Sequence, residues 1–196
     1  MLVYNTSSTG TGTNAVTPGY VYWQNNRWNK LQTSGYAGAV FGVHTSTTPN
    51  HLTTAAPSWQ YTNSYIDIPP GKWIIFCYEL ISPYDPGASA NNWDFSYITT
   101  TSPYTAAIWV RTTLSNSSST FSFSSYLVGS ALVSGALVFP SGFAMTSGSW
   151  YVNNTSGTTQ RFYLWANVNR YNTNCGAYNF AAAVWGENQF FAIPAE

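Results

Sequence analysis

The chain has 196 residues, only 6% of them charged, six of each sign, against 18% aromatic. An ordinary soluble surface carries roughly a quarter to a third Lys, Arg, Glu and Asp and a net charge away from zero, so this composition excludes a freely solvated lone globule and predicts a surface covered by copies of itself, or one that works at a wall or fibre. Scattered cations at positions 27, 30, 72, 111, 161 and 170 with zero net charge exclude a nucleic-acid partner, and 44% hydrophobic content excludes disorder.

The N-terminus, Met1-Leu2-Val3-Tyr4-Asn5, has no basic region followed by an apolar one, so a signal peptide is expected to have been removed or to lie upstream. Gly, Asn, Ser and Thr clusters punctuate short runs of β-branched and aromatic residues throughout, with no 3.6-residue apolar period, which predicts an all-β chain. Residues 1–37 form the first section. A strand at Leu2-Val3-Tyr4 leads through the low-complexity stretch 6–13 to Gly19-Tyr-Val-Tyr-Trp-Gln-Asn-Asn-Arg-Trp-Asn-Lys-Leu31. The Asn25-Asn26 pair suits a two-residue turn needing positive φ, which pairs Gln24 with Arg27 and Trp23 with Trp28. Tyr20, Tyr22, Trp23 and Trp28 then make an aromatic hairpin, and an isolated hairpin needs a surface to pack on. The bare strand Leu2 to Asn5 is a candidate to pair with a neighbour's sheet edge and extend an assembly.

Residues 38–196 form the main domain, an expected jelly-roll β-sandwich of about eight to ten strands. Strands are predicted at 39–43, at 61–68, and along 66–80, where Pro69-Pro70-Gly71 sets a tight turn before a buried run. That run, the longest apolar one, is broken by Glu79 and is far short of the roughly 20 residues of a membrane-spanning helix. A loop follows over 82–93. Further strands are predicted at 104–114, 121–127, 131–139, 149–153, 161–168 and 182–193. Cys77 and Cys175 are too far apart in sequence for a metal or redox motif and leave two readings open, one long-loop disulfide or two buried thiols.

The segment Ile66-Asp-Ile-Pro-Pro-Gly-Lys-Trp-Ile-Ile-Phe-Cys-Tyr-Glu-Leu80 resembles an early strand of tumour-necrosis-factor-like jelly rolls, the group that includes the complement-type globular heads. Phe180-Ala-Ala-Ala-Val-Trp-Gly-Glu-Asn-Gln-Phe-Phe-Ala-Ile-Pro194 is placed like that fold's closing strands, so the resemblance spans roughly 38–194. The first section is similar to the short neck before such heads in bacterial surface and phage-like fibre proteins. The resemblance implies a homotrimer that binds receptors or surfaces and catalyses nothing. The scarcity of charged loop residues departs from the animal members, so no receptor-binding role is carried over residue by residue.

Catalytic chemistry has little supply. His44 and His51 share the stretch Val43-His-Thr-Ser-Thr-Thr-Pro-Asn-His51 without a nearby Cys or acid, and read better as ordinary loop histidines than as metal ligands. Four carboxylates between Asp67 and Asp94 raise a glycosidase pair or a calcium site, with Asp85 and Asp94, around Asn91 and Asn92, the calcium candidates. Asp67 reads as turn-stabilising, and Glu79 as the partner of a buried Arg such as Arg111. No nucleophile elbow or phosphate cradle occurs. Trp59, Tyr61, Trp93, Tyr97 and Tyr104 are candidates for a carbohydrate platform, although burial in subunit contacts suits aromatic side chains better.

These readings converge on a non-catalytic structural or adhesive subunit of an extracellular, cell-surface or virion-surface homo-oligomer, expected to be a trimer that can extend into a fibre or filament. Its assembly residues would be Leu2, Val3, Tyr4, Tyr20, Tyr22, Trp23 and Trp28, its other partner a surface glycan or receptor. No cofactor is expected beyond the calcium candidate. A carbohydrate-binding module is the alternative, and a hydrolase using carboxylates of 67–94 a third reading.

Overall fold

The computed structural model describes residues 2–8, 18–24, 26–30, 38–48, 50–52, 58–83, 107–138, 143–170 and 178–195. Among them there are fifteen strands and no helix, in two compact units, Met1–Gly38 and Ala39–Glu196.

The first unit is a three-stranded antiparallel sheet of β1 (Leu2–Asn5), β2 (Gly19–Gln24) and β3 (Arg27–Lys30), in that order. The register is the one its turn chemistry predicts, with Gln24 opposite Arg27 and Trp23 opposite Trp28. Asn26 supplies the left-handed residue at φ 57°, a conformation Asn tolerates better than most residues. Cross-strand Trp23 and Trp28 meet edge to face, ring centroids 5.3 Å apart, and Tyr4 meets Tyr20 in the same way at 4.9 Å. The strand at Leu2 is not bare. Leu2 to Asn5 pair antiparallel with Tyr22 to Gly19, so β1, like β3, has a described strand partner on one edge.

The second unit is a β-sandwich with jelly-roll topology. One sheet holds β4 (Val40–Phe41), β6 (Asn50–Leu52), β8 (Gly71–Pro83), β10 (Leu127–Val128), β12 (Ala144–Asn154), β14 (Tyr178–Phe180) and β15 (Gln189–Pro194). The other runs β11 (Val133–Val138), β9 (Ala107–Ser115), β13 (Gln160–Arg170), β7 (Gln60–Ile68) and β5 (Val43–His44). From β4 to β14, even-numbered strands lie in the first sheet and odd-numbered ones in the second, so every connection crosses between sheets, the mark of a jelly roll. The central strand β8 pairs along its length with β12, and its other edge is shared by β15 at the Trp73 end and β14 at the Ile81 end.

Period-two alternation sets what lies inside. Trp73, Ile75, Cys77 and Ile81 of β8 and Trp150 and Val152 of β12 face Ile66 and Ile68 of β7, Phe162 and Leu164 of β13 and Leu114 of β9 in one core. Each large apolar side chain so buried contributes about 1.5–3 kcal/mol relative to exposure. Gly71, at φ 120°, completes the Pro69-Pro70-Gly71 turn where a side chain would be strained.

Three predicted strands differ. The stretch 39–43 is two short strands in different sheets: Gly42 N–H donates to the Phe190 carbonyl at 2.6 Å, and the chain crosses from β15's neighbour β4 to β7's neighbour β5. Most of 121–127 is loop. There Ser124 Oγ accepts from the Tyr126 amide, as Ser117 Oγ just before it accepts from the Ser119 and Thr120 amides, hydroxyl bonds that compete with a strand ladder. Within 182–193 only the last part is strand, because Asn188 holds the preceding turn, donating to the Ala182 carbonyl and accepting from the Leu80 amide. Conversely, β6 and β14 pair where no strand was predicted.

Candidate functional site

Two outer sheet faces and one buried polar cluster carry the chemistry of the second unit. The buried cluster lies beside the Gly42 crossing. His44 on β5 places Nδ1 2.8 Å from Ser64 Oγ on β7 and Nε2 3.5 Å from Glu79 Oε1 on β8. Glu79 therefore does not pair with Arg111, which extends from the outer side of the opposite sheet and donates to Asn167 Oδ1 at 2.5 Å. Parity decides this: Glu79 follows Ile75 and Cys77 inward, whereas Arg111 alternates outward from Val110 and Thr112. Both Glu79 oxygens are buried without a hydrogen-bond partner among the described residues. Burial pushes the Glu79 carboxyl well above its ordinary range and His44 below its own, so burial favours the neutral form of each. Ser64 and Glu79 have no exposure, which denies the set access to a substrate.

His44 is thus a half-sheltered strand residue rather than a loop histidine, and His51 lies in β6. Asp67 is not a turn residue. Its carboxylate accepts from Arg161 Nε and Nη2 at 2.8 and 2.7 Å across β7 and β13, and that bonding holds it below the usual carboxylate range. Cys77 is buried in the core with no disulfide partner among the described residues, its thiol raised by burial. Cys175, the calcium candidates Asp85 and Asp94, and the aromatic candidates Trp93, Tyr97 and Tyr104 lie outside the described residues. Among the described residues no group of His, Cys, Asp and Glu is arranged to hold a metal ion, and no helix is long and apolar enough to cross a membrane.

The outer face of the five-stranded sheet is aromatic, and it brings together Trp59 and Tyr61. Tyr61 meets Tyr163 at 5.5 Å and Trp165 at 6.0 Å, side chains placed outward by the pairing of β7 with β13 and by the bulge between Leu164 and Trp165. The loop after β9 folds over this face: Ser117 carbonyl accepts from Trp165 Nε1 at 2.8 Å, Phe121 stacks on Trp59 at 4.5 Å, and Phe123 meets Trp59 edge-on at 5.8 Å. Trp165 is buried as a result, while Trp109 and Phe123 remain 44% and 49% exposed. Arg111 lies between Trp59 and Trp109, its Cζ 6.0 and 5.8 Å from the two ring centroids. Trp109 and Arg111 were findable from the alternation of 109–114, with Val110, Thr112 and Leu114 inward. Phe121 and Phe123 were not, since only the fold of the loop brings them to Trp59.

The outer face of the seven-stranded sheet is mainly aliphatic and aromatic. Ile74, Phe76, Tyr78 and Leu80 of β8 lie beside Tyr151 and Met145 of β12 and Phe191 and Ile193 of β15, with Phe41 and Val128 on the flanks and Ser149, Ser147 and Gln189 interspersed opposite Phe76 and Tyr78. Phe76 stacks on Phe191 at 5.1 Å, and Phe41, next to it, is 66% exposed. Lys72, at one end of β8, is the one charged side chain on this face among the described residues.

No protein-family model matches the chain, and no curated protein matches it. Among solved structures, a chain of the "Structure of infectious bursal disease virus Gx strain" aligns with 95% of this chain at 7% identity and a TM-score of 0.37. The alignment spans 46% of that chain's length.

Proposed function

We propose that this protein is a non-catalytic structural subunit that assembles with copies of itself, as a trimer, at an extracellular, cell or virion surface, and that trimers extend into a fibre. The observation that carries this reading is the seven-stranded sheet's outer face, where Phe41, Phe191 and Phe76, then Ile74, Tyr151 and Val128, cross neighbouring strands with the uncharged Ser147, Ser149 and Gln189 beside them and, among the described residues, a single lysine at one end. Some seven residues each of β8 and β12, about five of β15 and two each of β4 and β10, at about 4.8 Å spacing and about 3.3 Å rise, give it roughly 350 Å² in projection, a size of patch that is often functional. An uncharged face suits contact with a neighbouring copy because covering it strands no unpaired charge. Burial of the Ser64, His44 and Glu79 set supports the non-catalytic part.

Sedimentation velocity and light scattering on the full chain test the proposal. Expected are a trimer for the unaltered chain and a folded monomer for Phe191→Glu combined with Ile74→Glu, whose side chains are outward and whose loss leaves the core intact. A monodisperse monomer for the unaltered chain at micromolar concentration would overturn it.

A further inference from the structure

We infer that the row Trp59, Arg111 and Trp109 on the five-stranded sheet is a binding site for a carboxylated sugar, a sialic or uronic acid at the end of a glycan. The two arginines of this face differ in a way that points to an anionic ligand. Arg161 is neutralised by the bidentate Asp67 and lies over Tyr65 with Cζ 3.8 Å from the ring centroid. Arg111 has no carboxylate among the described residues. Its guanidinium donates to the neutral Asn167, and its Nε is buried without an acceptor.

A partly desolvated cation without a counter-charge is costly. Two indoles recover part of that cost by cation–π attraction, and a carboxylate would supply the rest by charge-assisted hydrogen bonding to the guanidinium's outer N–H groups. The ring arrangement selects the remainder of the ligand. One face of Trp59 is covered by Phe121, so Trp109 is the ring left open to receive the C–H face of a pyranose while its carboxylate reaches Arg111. A polyanion such as a phosphorylated chain would need several cations, and among the described residues this face offers one that is unneutralised. The site lies on the opposite side of the sandwich from the proposed assembly face, so the two readings stand independently.

Calorimetric titration of the full chain with 3′-sialyllactose, with digalacturonate, and with lactose as the neutral control tests this. Expected is binding of at least one acidic probe, none of lactose, and a loss of about tenfold or more in affinity for Arg111→Gln, consistent with loss of a charge-assisted hydrogen-bonding pair. Arg161→Gln, at the other end of the same face, should leave affinity unchanged. Which acidic probe binds distinguishes the two sugar classes. Should Arg111→Gln fail to fold, Trp109→Ala at an exposed position reads the same site and should also lose binding. No binding of either acidic probe at millimolar concentration, equal binding of lactose, or an equal loss in Arg161→Gln would overturn the inference.

Discussion

Gly42 has no room for a methyl group. A Cβ there would press into the Phe190 ring, with Cγ at 2.8 Å and the Phe190 carbonyl at 3.0 Å. Phe190 is itself buried, so Gly42→Ala is expected to destabilise the fold by about 1–3 kcal/mol, the usual cost of overpacking, read by urea denaturation. Glu79 and His44 give the same region a pH dependence. Burial raises Glu79 well above its ordinary 4.5; the folded state then keeps a proton the unfolded chain releases, and stability falls as pH rises above about 4.5. His44 is lowered from 6.5; the folded state resists a proton the unfolded chain takes up, so stability falls as pH drops below about 6.5. Thermal melts should therefore show Glu79→Gln gaining on the unaltered chain as pH rises from 5 to 8. A difference that does not move in favour of Glu79→Gln over that range would contradict the raised Glu79 carboxyl.

At the scale of elements, the hairpin was legible in the sequence to the register because Asn25-Asn26 fixes it locally. Asn26→Gly should be tolerated, whereas Asn26→Val, a β-branched residue at φ 57°, should cost about 1–2 kcal/mol and weaken the circular-dichroism signal of the coupled Trp23 and Trp28 rings. The strand β8 was legible as well, from the turn at Gly71 and the length of its apolar run. What could not be read depended on distant partners. Whether Val40 to His44 is one strand or two is decided by Phe190, far along the chain. Asn50 is a strand residue because its amide reaches the Thr62 and Phe180 carbonyls, bonds that no local pattern announces. Of the aromatic candidates, Trp59 and Tyr61 were named from sequence, but Arg111 was assigned to the core because charge alone does not report which face a strand residue takes.

For the whole molecule, the low charge of the composition becomes a property of surfaces. Both outer faces of the sandwich display rings and aliphatic chains where most soluble domains display Lys and Glu. Association through the seven-stranded face should respond weakly to salt, the dissociation constant changing by less than about threefold between about 0.05 and 0.5 M sodium chloride, since no charge pair is there to screen; sedimentation at the two ionic strengths checks it. The crossing at Gly42 has a mechanical consequence. The chain leaves the first unit at Gly38 and enters the second through β4, bonded to β15, then through β5, bonded to β7. Tension applied through the N-terminal unit would therefore meet two edge strands in turn, first β4 on one sheet and then β5 on the other, each held over two residues. A subunit tethered by its first residues would give way in steps at this entry before the long strands of the sandwich part.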